Sequence, residues 1–199
     1  MKLIVENFSE YLKPTLYIEP DNQDVINKAK QVTHGMNDET DIARALFNFV
    51  RDEISHSFDI GGKFVTLKAS DVLKYKEGIC YAKSILLASL CRSMGIACGL
   101  CYQRLILDDG QADHLVLHGL NALYLKSIDG WIRMDARGNK SGVNAQFSID
   151  SEKLAFNVRT DLGESDIPVV YTNVPDAIIK VYEKVKSVED LYNNLPVEI

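Results

Sequence analysis

At 199 residues, with 46% hydrophobic and 25% charged residues, the chain has ordinary globular composition and enough apolar material for a single domain over residues 1–199. Its net charge of −6, with no dense Lys/Arg cluster, argues against nucleic acid as a partner. No stretch reaches the roughly 18 apolar residues that would cross a bilayer, so no membrane partner is expected either. The opening "MKLIVENFSEYLKP" has too short an apolar run for a secretory leader. A cytoplasmic location with four reduced cysteines is the corresponding expectation.

After an N-terminal extension, "EPDNQDVINKAKQVTHG" predicts a helix capped by Asp21 and closed by Gly35. The next stretch, "NDETDIARALFNFVRDEI", predicts a stronger one. Ile42, Ala45, Leu46, Phe49, Val50 and Ile54 recur three and four residues apart, and Asn37 or Asp38 can cap it. A short helix from Ser70 to Tyr75 follows, and then "YKEGICYAKSILLASLCRSMGI" predicts an amphipathic helix from Cys80 to about Met94. Past Gly95 the period changes to that of strands. "IACGLCYQRLIL", "HLVLHGLNALYLKS" and "GWIRMDARG" read as a three-stranded meander with turns at "DDGQAD" (108–113) and "SIDG" (127–130). The tail predicts a strand at "IPVVYT", a helix from Asp176 to about Lys186, and a last short helix around "VEDLYNN". Helices followed by a meander place the chain in the α+β class.

The four cysteines stand at 80, 91, 98 and 101. Cys98 and Cys101 form a C-x-x-C, but residues three apart on a strand point to opposite faces and cannot readily chelate one ion. Cys91, Cys98 and Cys101 are therefore expected in the core. Cys80 differs, because it opens a helix. Unpaired backbone N–H groups and the positive end of the helix dipole stabilise a thiolate there. A nucleophilic thiol also needs an imidazole and a group to orient it. His34 lies near a helix end and His56 ends the amphipathic helix; either can be a surface residue. His114 and His118 share the second strand of the meander. If that strand pairs with the next as a hairpin, Asp135 comes to lie beside His118 and can hold its tautomer.

The motifs "ASDVLKYKEGICYAKSILLASLCRSMGIACGLCYQ", "HGLNALYL" and "GWIRMDARG", in this order, resemble the transglutaminase-like superfamily. The family pattern is G-x-C opening a helix, R-x-x-G-I at its end, a strand with H-x-W-x-E-x-Y, and a further strand with G-W-x-x-x-D. The upstream "DIARALFNFVRDEISHSFD" is similar to the helix preceding the family's site, so the resemblance spans roughly residues 20–140. It implies a papain-like α+β fold, with the cysteine helix packed on an antiparallel sheet, and a Cys80–His118–Asp135 triad. It also implies thiol-dependent acyl transfer on a peptide, protein or other amide-containing substrate, requiring no metal or organic cofactor.

Four positions depart from the family pattern. Leu120 stands where a tryptophan is usual, Asn121 at the acidic position, "GIACG" in place of "GIPAR", and Ala136 in place of a proline. These bear on substrate and reaction more than on the triad. With Trp131 the only tryptophan, little aromatic shielding from water is expected unless Tyr81 or Tyr102 supplies it, which favours hydrolysis over transfer to an amine. Tyr75 is a candidate for the second oxyanion donor beside the Cys80 backbone N–H. Three other readings remain open: a protein-glutamine amine transferase, a catalytically silent peptide-binding module, and an unrelated α+β protein in which the three residues never meet.

Overall fold

The structure, a computed structural model, describes residues 1–107 and 114–199. The turn expected at 108–113 lies outside the described residues. Helix α1 spans Gln23–Val32 and α2 spans Glu39–Glu53. Asn22 caps α1 in place of Asp21, its side chain accepting from the Asp24 and Val25 N–H groups. Asp38 does the same for α2 through Asp41. Three short elements follow: β2 (Ser55–His56, after the N-terminal β1, Lys2–Leu3), α3 (Ser57–Ile60) and α4 (Ala69–Tyr75). Next come β3 (Glu77–Gly78) and α5 (Cys80–Ser93). The meander is β4 (Cys98–Ile106), β5 (Leu115–Leu125) and β6 (Gly130–Met134). β7 (Ser165–Tyr171), α6 (Asp176–Tyr182) and α7 (Val188–Asn193) complete the chain, α6 ending earlier than its pattern suggests. Among the described residues no helix is long and apolar enough to cross a membrane.

The main sheet has the order β1-β7-β4-β5-β6. The expected meander occupies one side, and β7 returns to the other edge of β4. One pairing departs from the antiparallel expectation: β1, drawn from the N-terminal extension, runs parallel to β7.

Helix α5 is not amphipathic in its surroundings. Every residue from Cys80 to Arg92 is buried, with α1, α2 and α4 on one side and β4 and β5 on the other. The polar residues that suggest a solvated face are satisfied inside instead. Ser84 and Ser89 donate to carbonyls of their own helix. The Arg92 guanidinium reaches the carbonyls of Lys13, Cys98 and Thr172, tying the helix end to three separate segments. Gly95, at φ +78°, lets the chain turn immediately afterwards into β4.

The two faces of β4 carry different cores. Cys98 faces α5 and hydrogen-bonds with Cys91, while Cys101 packs on the opposite face with Tyr11, Leu120 and Val170. The spacing argument against a shared ion thus holds geometrically. Trp131 also lies on that second face, its ring centroid 4.9 Å from that of Tyr11.

Lys83, one turn into α5, donates to the carbonyls of Arg51 and Ile54 at the end of α2. Burial, aided by the nearby Arg137 charge, holds its pKa down to about 7 from 10.5. The unfolded chain therefore binds more protons across that interval, and the contribution of Lys83 to stability rises with pH from about 7 to 10.5. In thermal melts across this interval, Lys83→Met is expected to be most favourable relative to wild type at the acidic end and to lose ground steadily. A pH-independent difference between the two would show that Lys83 stays charged throughout.

Candidate active site

Strand β6 covers only part of its neighbour, pairing with β5 from Asn121 to Leu125. The backbone of β5 before Asn121 must find partners elsewhere. Leu117 N–H donates to the Pro196 carbonyl at 2.8 Å, and the Leu117 carbonyl accepts from the Tyr81 hydroxyl. The Gly119 N–H donates to Cys80 Sγ at 3.4 Å. The N-terminus of α5 thus stands where β6 would have continued. A side chain at Gly119 would prevent this, since a Cβ there would come 2.8 Å from the Tyr81 ring and 3.3 Å from the Tyr81 Cα.

The approach to Cys80 is built just as tightly. β3 pairs in parallel with β2, placing His56 opposite Gly78, and the Thr66 hydroxyl donates to the Glu77 carbonyl at 2.7 Å. Ile79, the N-cap of α5, offers no side-chain acceptor, and no acidic residue stands in the first turn. The positive helix end is therefore not neutralised locally and faces the thiol.

Asp135 follows β6 directly and is completely buried. His118 Nε2 lies 2.8 Å from its Oδ2, while the N–H groups of Arg137 and Ala155 donate to it at 3.0 and 3.1 Å. Burial alone would raise the Asp135 pKa, but the His118 charge and these hydrogen bonds hold it below its ordinary value. Burial likewise works against the His118 imidazolium. The Asp135 carboxylate, hydrogen-bonded to the ring, and the nearby Cys80 outweigh that and push its pKa up to about 10. With Nε2 on the carboxylate, Nδ1 is the nitrogen left for sulfur. Phe156 meets the His118 ring edge-on, with centroids 5.1 Å apart.

The structure thus brings together Cys80, His118 and Asp135; the first two line a cavity of about 560 Å³, and Asp135 lies buried behind His118. His114 and His34 are exposed and line none of it. Tyr75 is not brought to the site: it is 37% exposed and stacks on Phe64 with centroids 4.0 Å apart, on the outer side of α4. It is therefore no oxyanion donor. Trp131, Tyr81 and Tyr102 are not cavity walls either. Phe58, Phe156 and Tyr192 are, so aromatic shielding exists but comes from positions with no sequence signal for it. His56, read from sequence as a surface residue, is buried and lines the cavity. Arg137 lines it too, forming a two-pronged ion pair with Asp59, whose pKa falls to about 2 because this pairing outweighs burial. Among these residues, only the position of Arg137 in "DARG", two after Asp135, could have drawn attention to it.

The sequence profile described as "Transglutaminase-like superfamily" matches residues 26–136. The chain belongs to the transglutaminase-like superfamily. Within solved structures, this superfamily member resembles a candidate cysteine protease from Cytophaga hutchinsonii, at 18% identity and TM-score 0.55. The match covers 67% of the chain and 43% of that structure, so the chain spans less than half of its length. It also matches the periplasmic domain of TgpA from Pseudomonas aeruginosa at 17% identity, with TM-score 0.43, over 63% of this chain and 45% of that one. A structure described as a TGase matches at 15% identity, with TM-score 0.45, over 86% and 48% of the two chains. At 18% identity, the likeness to the Cytophaga hutchinsonii structure shows the fold alone. No curated protein matches the sequence.

Cys80 is 8% exposed at the cavity, whereas Cys91 and Cys98 are fully buried and Cys101 is 2% exposed. Burial pushes the Cys101 thiol up to about 12, and the neighbouring Cys98 thiol together with burial raises Cys91. Iodoacetamide applied to the native protein near neutral pH is expected to modify Cys80 first, as read by peptide mass mapping. Labelling of any of the other three at a comparable rate would contradict this placement.

Proposed function

We propose that the chain is a thiol-dependent acyl-transfer enzyme that hydrolyses a peptide or other amide bond. The observation that carries this reading is the His118 ring, hydrogen-bonded to the buried Asp135 carboxylate and lining the same cavity as the Cys80 thiol. In the proposed reaction the Cys80 thiolate, paired with the His118 imidazolium, attacks the carboxamide carbon. The carbonyl electron pair moves onto oxygen, where the Cys80 backbone N–H at the helix end stabilises it. Collapse expels the amine, which His118 protonates, and a water activated by His118 then cleaves the acyl-enzyme.

Hydrolysis is supported by the charged lining of the cavity. Asp59, Arg137, Lys140, Arg159 and Glu164 all border it, and such groups keep water close to a reacting carbonyl. An acceptor amine would have to displace water at roughly 55 M, which requires a bound amine and a dry wall. One observation favours the second reading, transfer to an amine: the rings of Phe58, Phe156 and Tyr192 on the same cavity.

Two measurements test this. With a turnover assay in hand, His118→Ala is expected to abolish activity and Asp135→Asn to lower it by a factor on the order of 10² to 10⁴, through loss of ring orientation. His114→Ala should retain most of it, and a dead His114 variant would contradict the assignment of the base. In the second, the protein is incubated with a glutamine-containing protein and a labelled primary amine. Ammonia release without amine incorporation supports the hydrolase, and incorporation that outpaces uncoupled ammonia release selects the transferase.

A further inference from the structure

The cavity holds a second imidazole that the reaction above leaves without a task. His56 is 8% exposed and borders the cavity together with Ile79 and Cys80. Its position comes from backbone pairing: β2 places it opposite Gly78, two residues before the thiol. The ring stands edge-on to Phe58, with centroids 5.5 Å apart. Its Nδ1 is shut off from solvent with no hydrogen-bond partner, so the edge bearing Nε2 is the one that can meet a molecule in the cavity.

A buried polar ring without a partner is costly to keep and calls for an explanation. The nearest candidate partner is Asp59, whose Oδ2 lies 4.0 Å from His56 Nδ1, beyond hydrogen-bond range. Both Asp59 oxygens are engaged by Arg137, and Lys140 adds a third contact. No hydrogen bond therefore holds the ring proton on Nδ1. Burial is the main force keeping His56 neutral; the charges of Arg137, Lys83 and His118 act in the same direction and Asp59 against it. A neutral imidazole here does not compete with His118 for the thiol proton. It keeps one N–H to donate and adds no charge to the site.

We propose that the His56 imidazole is the second oxyanion donor, completing a pair with the Cys80 backbone N–H around the carbonyl oxygen of the substrate. The inference rests on the acyl-transfer reading and deepens it. As the sulfur–carbon bond forms, the carbonyl electron pair moves onto oxygen and the oxyanion accepts a hydrogen bond from His56 Nε2–H. When the intermediate collapses, the pair returns to re-form the carbonyl, the bond to the leaving group breaks, and the donor is released unchanged. Tyr75 is exposed and stacked on Phe64, so it cannot fill this role.

The test uses two probes of the same thiol. Alkylation by iodoacetamide passes through no oxyanion, whereas acylation by p-nitrophenyl acetate does. His56→Leu is expected to lower the acylation rate by about 10² to 10³ while leaving alkylation of Cys80 unchanged. His56→Gln, which keeps a donor N–H of similar reach, should recover much of the loss. Unchanged alkylation also reports that each variant is folded around the thiol. Acylation that survives in His56→Leu would overturn the proposal. So would a parallel loss of acylation and alkylation, which would place His56 among the groups that activate sulfur. A wild-type protein that alkylates at Cys80 but is never acylated would refute the acyl-transfer reading itself, and this proposal with it.

Discussion

Strand β6 stops at Met134, and the first half of β5 is left with an uncovered edge. Backbone groups at such an edge must be paired when they are buried. The chain meets that demand with the Tyr81 hydroxyl, the Cys80 thiol and a carbonyl from the C-terminal tail. The need to satisfy one strand edge therefore brings the start of α5 against β5. The residue after Met134 is Asp135, so the same strand ending turns a carboxylate in beside His118.

The electrostatics follow from this packing. A fully buried carboxylate is tolerable only with a countercharge and hydrogen bonds, and Asp135 has His118 and two backbone N–H groups. One of those N–H groups belongs to Ala155, twenty residues away, so the loop that carries Phe156 is fastened to the pair it covers. Cys80 is among the groups that raise the His118 pKa.

The cavity walls have a different origin from the reacting groups. Phe58 comes from α3, Phe156 from the segment after β6, and Tyr192 from α7, where its ring stacks edge-on to Phe58 at 5.1 Å. Two of these three lie beyond residue 136, where the family match ends. The thiol and its partners therefore lie within the matched region, whereas about half of the cavity lining comes from beyond it. The same division explains why reasoning from Trp131 about shielding misplaced the wall: that ring belongs to the opposite face of the sheet, against Tyr11.

Sequence alone determined what depends on neighbours in the chain. The period of Ile42 to Ile54 specified α2, Gly78 and Cys80 marked the start of α5, and the single turn between β5 and β6 brought Asp135 within reach of His118. Hairpin register and helix starts are local, so their signals survive in a single sequence. Only the tertiary structure decided which polar residues are buried and which aromatics meet. The helix of Lys83 and Arg92 read as amphipathic, yet both are buried, because their acceptor carbonyls come from segments up to 80 residues away. His56 read as a helix end on the surface until β3 and the cavity closed around it. Burial is a property of what distant segments place over a residue, and local periodicity carries no record of that.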